Sequence, residues 1–209
     1  TYVPEDDNKD NAYVEFNLSD YDKKDSELIY YSSVEEAILN SPLNTENEEF
    51  SVPEDFLNHV DEILHIWNGK QYDTIFYRAG SDNDPVQGFV MARCKKQGEE
   101  ATVQYAFMNA TPVTTKADSI LISDITELIH SSLKLSDFQQ DLNPNYPDTR
   151  FVFGYAHDKE IYSLEVEGQK PDGVIEINVY DRTMYLWYYD DLKSDKRGNN
   201  LSYSVDMPE

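Results

Sequence analysis

The tetrapeptide His157-Asp158-Lys159-Glu160 carries the most reactive set of side chains in this chain. A histidine beside carboxylates can take or give a proton near neutral pH, so His157 with Asp158 and Glu160 could serve a hydrolase as its general base and acid. The same four residues also make an ordinary polar connection between two strands. A serine hydrolase would further need a nucleophile on a sharp turn, and the chain has no Gly-x-Ser-x-Gly elbow. A second set is His59, Asp61, Glu62 and His65. On a helix, His59 and His65 stand about 120° apart, so they cannot grip one metal as an i, i+4 pair does. Asp61 and His65 share a helical face and read as a surface pair. Ser81-Asp82-Asn83-Asp84 and Asp190-Asp191 cluster oxygens, but they lack the glycine and terminal glutamate of a calcium loop and read as solvated turns. No metal and no cofactor is expected from these motifs.

A different chemistry is offered by aromatic residues. Tyr180, Tyr185, Trp187, Tyr188 and Tyr189 crowd one short region. On a strand, alternation puts Tyr185, Trp187 and Tyr189 on one face and Leu186 and Tyr188 on the other. Six consecutive large residues, Met184 to Tyr189, are more than one core face uses. Either the strand is covered on both sides, or one face is an open aromatic strip for a glycan or a protein. Tyr180, Tyr185, Trp187 and Tyr189 are therefore the candidate ligand-binding residues.

These residues must be positioned by strands. Phe151 to Ala156 is a continuous apolar run, the pattern of a doubly covered strand. Ile161 to Glu167 and Val174 to Tyr180 alternate, and Met184 to Tyr189 closes the set. Short polar connections favour antiparallel pairing, so residues 149–190 read as a four-stranded meander. Upstream, Ser33-Val34-Glu35-Glu36 is a capping box that opens a short helix through Leu39. Ser51-Val52-Pro53-Glu54 is a second, followed by Phe56, Leu57, Val60, Ile63, Leu64 and Trp67 at helical spacing. The spacing predicts a helix over 53–67. Tyr72 to Arg78, Val86 to Lys95 and Thr102 to Asn109 are strands, Ile120 to Leu133 is a helix that Ser136 to Leu142 extends, and Leu201 to Val205 is a weak strand.

The fold class is thus α+β, with antiparallel sheets in meander order and two or three packed helices. Residues 1–26 form an acidic tail or tether, and 27–209 form a single domain. The order of helix then strands occurs twice, opened by Asp73-Thr74-Ile75-Phe76 and Asp148-Thr149-Arg150-Phe151. This allows a duplicated αβββ unit, with halves at 27–110 and 111–190.

Composition limits the function. The 209 residues hold 41 Asp and Glu against 17 Lys and Arg, a net charge of −24. That balance excludes a phosphate-tracking nucleic-acid surface and electrostatic attachment to anionic lipid. Hydrophobic residues are 39% of the chain, enough for a folded core, and no apolar run is long enough to span a bilayer. The single cysteine, Cys94, excludes an internal disulfide and reads as a packing residue. The chain opens at Thr1 without Met, the mark of a processed or truncated chain.

The acidic tail, Ser33-Val34-Glu35-Glu36-Ala37-Ile38, Asp73-Thr74-Ile75-Phe76-Tyr77, and Phe153-Gly154-Tyr155-Ala156-His157-Asp158 followed by Glu165-Val166-Glu167-Gly168 together resemble uncharacterised secreted or lipid-anchored proteins of Gram-positive bacteria. The resemblance covers residues 30–190. It implies an extracellular or cell-surface location and a lipid anchor upstream of the tail, and no chemistry. The expected function is a non-catalytic binding module of the cell envelope with a protein or glycan partner. The alternatives are a hydrolase using His157 and an intracellular acidic adaptor.

Overall fold

The computed structural model describes residues 24–41, 58–80, 88–99, 101–112, 124–141, 149–179 and 182–207. Its elements are β1 (Tyr30–Tyr31), α1 (Val34–Asn40), β2 (Val60–Asn68), β3 (Tyr72–Ala79), β4 (Gly88–Gln97), β5 (Gln104–Pro112), α2 (Ile125–Asp141), β6 (Val152–Ala156), β7 (Glu165–Val166), β8 (Gly173–Val179), β9 (Arg182–Tyr189) and β10 (Tyr203–Ser204). All strand pairs are antiparallel. The class is α+β. One sheet runs β1-β5-β4-β3-β2, the second β6-β9-β8, and β7 pairs with β10 in a small ribbon.

The two main sheets pack face to face. Trp67, Phe76, Phe89 and Met91 of the first meet Phe151, Phe153, Ile177, Met184 and Leu186 of the second. The rings interlock, with Trp67 stacked on Phe151 at 4.8 Å and Phe76 tilted on Phe153 at 4.8 Å. Helix α1 covers the outer face of the first sheet, seating Val34, Ala37 and Ile38 on Ile75, Tyr77, Val90, Cys94 and Phe107. Helix α2 covers the outer face of the second, seating Ile125, Ile129 and Leu133 on Val152, Ala156, Trp187 and Tyr189. The result is four layers, helix, sheet, sheet, helix. A strand inside such a stack is apolar on both faces, which is why Ile75, Phe76 and Tyr77 are all buried.

Local chemistry fixes the ends. Ser33 caps α1 by accepting a hydrogen bond from the Glu36 N–H at 3.1 Å, the forward half of the predicted capping box, while the Glu36 carboxylate reaches back to the Ser32 N–H and Oγ. Asn58 donates to the carbonyls of Ile38 and Ser41, which pins the entry of β2 to the end of α1. Asp124 caps α2 through the Thr126 N–H. The helix continues without a break to Asp141, so the predicted extension is real. The 24–27 turn, at the end of the predicted tail, meets β4 through an Asp25–Lys95 ion pair of 2.6 Å. The rest of the tail, the Ser51 capping box and residues 81–84 lie outside the described residues.

Three expectations are corrected. The predicted helix at 53–67 is, from Val60 onward, strand β2; residues 53–57 lie outside the described residues. Two bulges carry the explanation. They fall between Val60 and Glu62 and between Ile63 and His65, so Val60, Ile63 and Ile66 stand opposite Ala79, Tyr77 and Ile75. Each bulge inserts one residue, so the face toward α1 recurs every third residue instead of every second. The strand thereby copies a helical spacing. Asn68-Gly69 is a hairpin turn, closed by Gly69 N–H to Tyr72 O at 3.0 Å and braced by the Asp73 carboxylate, which is buried and paired with Lys96 at 2.7 Å.

The predicted strand over Ile161–Glu167 is a 3-10 turn at 159–163 followed by the two-residue β7. Ile161 and Leu164, three apart, both turn inward. The meander of residues 149–190 is therefore a three-stranded sheet in which β6 pairs with the last strand, β9. The two halves share a helix over an outer sheet face but not a strand order: β2-β3-β4-β5 is sequential and β6-β9-β8 is not.

The C-terminal segment is tied down by Glu167. This residue holds a left-handed φ of 51°, uncommon for a non-glycine. Its carboxylate accepts from the Ser202 N–H and from Ser202 Oγ at 2.7 Å, and pairs with Lys196 Nζ at 3.0 Å. The Ser202 bonds, then Lys196, hold the carboxyl at about 2, down from 4.5. A carboxyl with a lowered folded-state pKa stabilises fully above its unfolded value and loses that contribution as pH falls through the folded value. Glu167→Gln is therefore expected to lower the melting temperature at pH 7 and to flatten its fall between pH 4.5 and about 2. Parallel melting curves for the two proteins across that range would contradict this.

Candidate functional site

The residues singled out by sequence divide sharply. Trp187 is fully exposed to neither face: it is 0% accessible, packed under α2. Tyr189 is 2% accessible, and its hydroxyl donates to Gln169 O at 2.9 Å while accepting from Val166 N–H at 3.1 Å. Burial pushes its phenol pKa up. Both residues belong to the core, and an open strip containing them is corrected to the doubly covered alternative. The reason is the layering: Tyr185, Trp187 and Tyr189 face α2, while Met184, Leu186 and Tyr188 face the first sheet. Tyr180 lies outside the described residues.

Tyr185 remains half-buried near the start of β9, and there it meets the other predicted set. Tyr162, on the 3-10 turn, stands edge-on to Tyr185 with ring centroids 5.6 Å apart and planes at 74°. Tyr162 is 54% exposed. Glu176 of β8 is the direct cross-strand partner of Tyr185. The Tyr185 phenol pKa is raised by burial first, then by Glu176, Tyr162, Glu160 and Asp158. His157, half-buried, stands edge-on to Tyr155 at 6.1 Å. The fold thus gathers Tyr185, Asp158 and Glu160 at one end of the second sheet, with His157 beside them, and adds Tyr162 and Glu176.

Tyr162 is the residue that sequence reasoning missed. In a strand it would point inward with Leu164 and Val166. In a 3-10 turn the inward positions are Ile161 and Leu164, and Tyr162 points out. The three-residue spacing of Ile161 and Leu164 after a polar tetrapeptide was the available signal.

The other histidine set comes apart. Asp61 pairs with Arg78. His65 crosses to the second sheet, stacking on Tyr188 at 3.8 Å and bonding Asp190 Oδ1 at 2.9 Å. This links the two sheets at their margin. Cys94 is buried under α1, and desolvation pushes its thiol up to about 12, which leaves it a packing residue without thiolate character. Among the described residues, no group of three or more His, Cys, Asp or Glu side chains is placed to hold a metal ion. Among the same residues no helix is long and apolar enough to cross a membrane. Comparison with protein-family models, with curated proteins and with solved structures finds no match.

Proposed function

We propose that the chain is a non-catalytic binding module of the extracellular surface or cell envelope, with a protein or glycan partner engaged at the Tyr162–Tyr185 corner. The observation that carries this reading is the exposure of Tyr162 beside Tyr185, rimmed by carboxylates. An aromatic ring left half in water on a folded surface offers large contact area with few rotors and a polar tip, which suits recognition. The acidic surface fits a role outside nucleic-acid and lipid binding. The envelope location rests on the resemblance to secreted and lipid-anchored proteins. The second reading, a hydrolase, rests on His157 lying beside Asp158 and Glu160 at the same corner.

Glycan and peptide arrays probed with the purified protein separate the two. Hits are expected to weaken about tenfold or more with Tyr162→Ala, as for a central aromatic contact. They are expected to persist with His157→Ala, and the ligand is expected to be recovered intact. A ligand that is cleaved by the wild type and spared by His157→Ala would replace the binding reading with the hydrolase.

A further inference from the structure

We infer that the Tyr162–Tyr185 corner recognises a cationic side chain, lysine or arginine, presented by a basic segment of a partner polypeptide. This rests on the binding reading above and names its ligand chemistry. The geometry is a pair of aromatic rings at 74° with one ring largely exposed. The Tyr162 ring offers a negative face, and a cation held within about 6 Å of such a ring is attracted by its quadrupole. Glu176 stands directly across the strand pair from Tyr185, within reach of the same group. Asp158 and Glu160 flank the corner on the turn that carries Tyr162, against one exposed ammonium, Lys159, on that turn. Three carboxylates against one cation leave the corner negative. A guanidinium stacked on the ring and forked to a carboxylate uses both features at once. A neutral sugar would stack on the rings and donate hydroxyls to the carboxylates, but it would leave their negative charge unmatched. The net charge of −24 adds attraction at longer range for any basic partner.

The test uses the full chain with labelled tyrosine rings, observed by NMR at physiological salt. The probes are an arginine-rich peptide, the same peptide with citrulline replacing arginine, and a neutral oligosaccharide. The arginine peptide is expected to shift the Tyr162 signal saturably, and the citrulline peptide to bind about tenfold more weakly. Tyr162→Ala is expected to weaken the arginine peptide about fivefold or more, and Glu176→Gln about threefold. Glu35→Gln, on the exposed side of α1, is expected to change nothing. Equal binding of the arginine peptide to wild type and Tyr162→Ala would overturn the inference, because the net charge alone would then explain it. A Tyr162 shift with the oligosaccharide and none with the arginine peptide would also overturn it, while leaving the binding corner in place. Silence of Tyr162 toward every probe would overturn the inference, and the arrays would then decide the binding reading separately.

Discussion

Trp187→Ala is expected to cost about 3–5 kcal/mol of folding stability. The indole is fully buried between β9 and α2, in the cluster that joins Ile129, Leu133, Val152, Ile161 and Leu164. It stands edge-on to Tyr189 at 6.2 Å. Its cross-strand neighbours are Gly154 on one side and Val174 on the other. Glycine has no side chain to move into the space that a truncated tryptophan leaves. The cavity therefore stays open, which puts the cost toward the upper part of the range. Trp187→Phe is expected to cost much less than Trp187→Ala, because the buried Nε1–H has no hydrogen-bond partner to lose. Chemical denaturation of the two variants measures both. A Trp187→Ala protein within about 1 kcal/mol of wild type would mean that the helix layer is not packed as described.

Gly154→Ala is expected to be nearly as damaging, from the opposite cause. A Cβ at this position would fall well inside contact distance of the Trp187 ring and of the Ser132 side chain. The absence of that carbon is what lets α2 lie so close to β6. Ser136, one turn further along the helix, then reaches the strand: its hydroxyl donates to Phe153 O at 2.9 Å and accepts from Phe153 N–H at 3.0 Å. One buried hydroxyl thus satisfies both polar groups of an edge-strand residue, which would otherwise be left unpaired. Pushing the helix outward breaks this pair as well as the packing. We expect about 3 kcal/mol or more, equivalent to about 10 °C in melting temperature for a chain of this size. Ser132→Gly in the same protein is expected to restore part of the loss, since it removes one of the two clashing groups. A Gly154→Ala protein that melts with the wild type would contradict the close approach.

Much of the fold was legible because composition and periodicity agreed with tertiary context. Ser33 and Glu36 announced α1, and the strands expected over 72–78, 86–95 and 102–109 overlap β3, β4 and β5. The crowded apolar run in β9 left two readings open, cover on both faces or an open aromatic strip, and the candidate binding residues followed the second, which the burial of Trp187 and Tyr189 overturns. What failed has a physical reason in each case. In β2 the two bulges converted a strand period into three-residue steps, and no side-chain pattern distinguishes that from a helix face. Around 159–167 alternation was read through a turn, because Ile161 and Leu164 satisfy a 3-10 spacing as well as a broken strand pattern. The pairing of β6 with β9 instead of its sequence neighbours is set by how the sheets stack, which local spacing does not encode.

The candidate site was legible in its members and not in its assembly. His157, Asp158, Glu160 and Tyr185 stood out by type, but as rival sites. The fold sets Asp158, Glu160 and Tyr185 around one corner, with His157 beside it, removes Trp187 and Tyr189 to the core, and supplies Tyr162 from a segment misread as a strand.

The most direct measurement is equilibrium retention of the purified protein on isolated Gram-positive cell envelopes, comparing wild type with Tyr162→Ala. Because Tyr162 is 54% exposed, its truncation is expected to leave the melting temperature close to that of the wild type, so a change in retention reports the surface alone. We predict that retention falls about tenfold with Tyr162→Ala and is unchanged with His157→Ala. Retention of Tyr162→Ala equal to that of the wild type, at equal stability, would contradict the account.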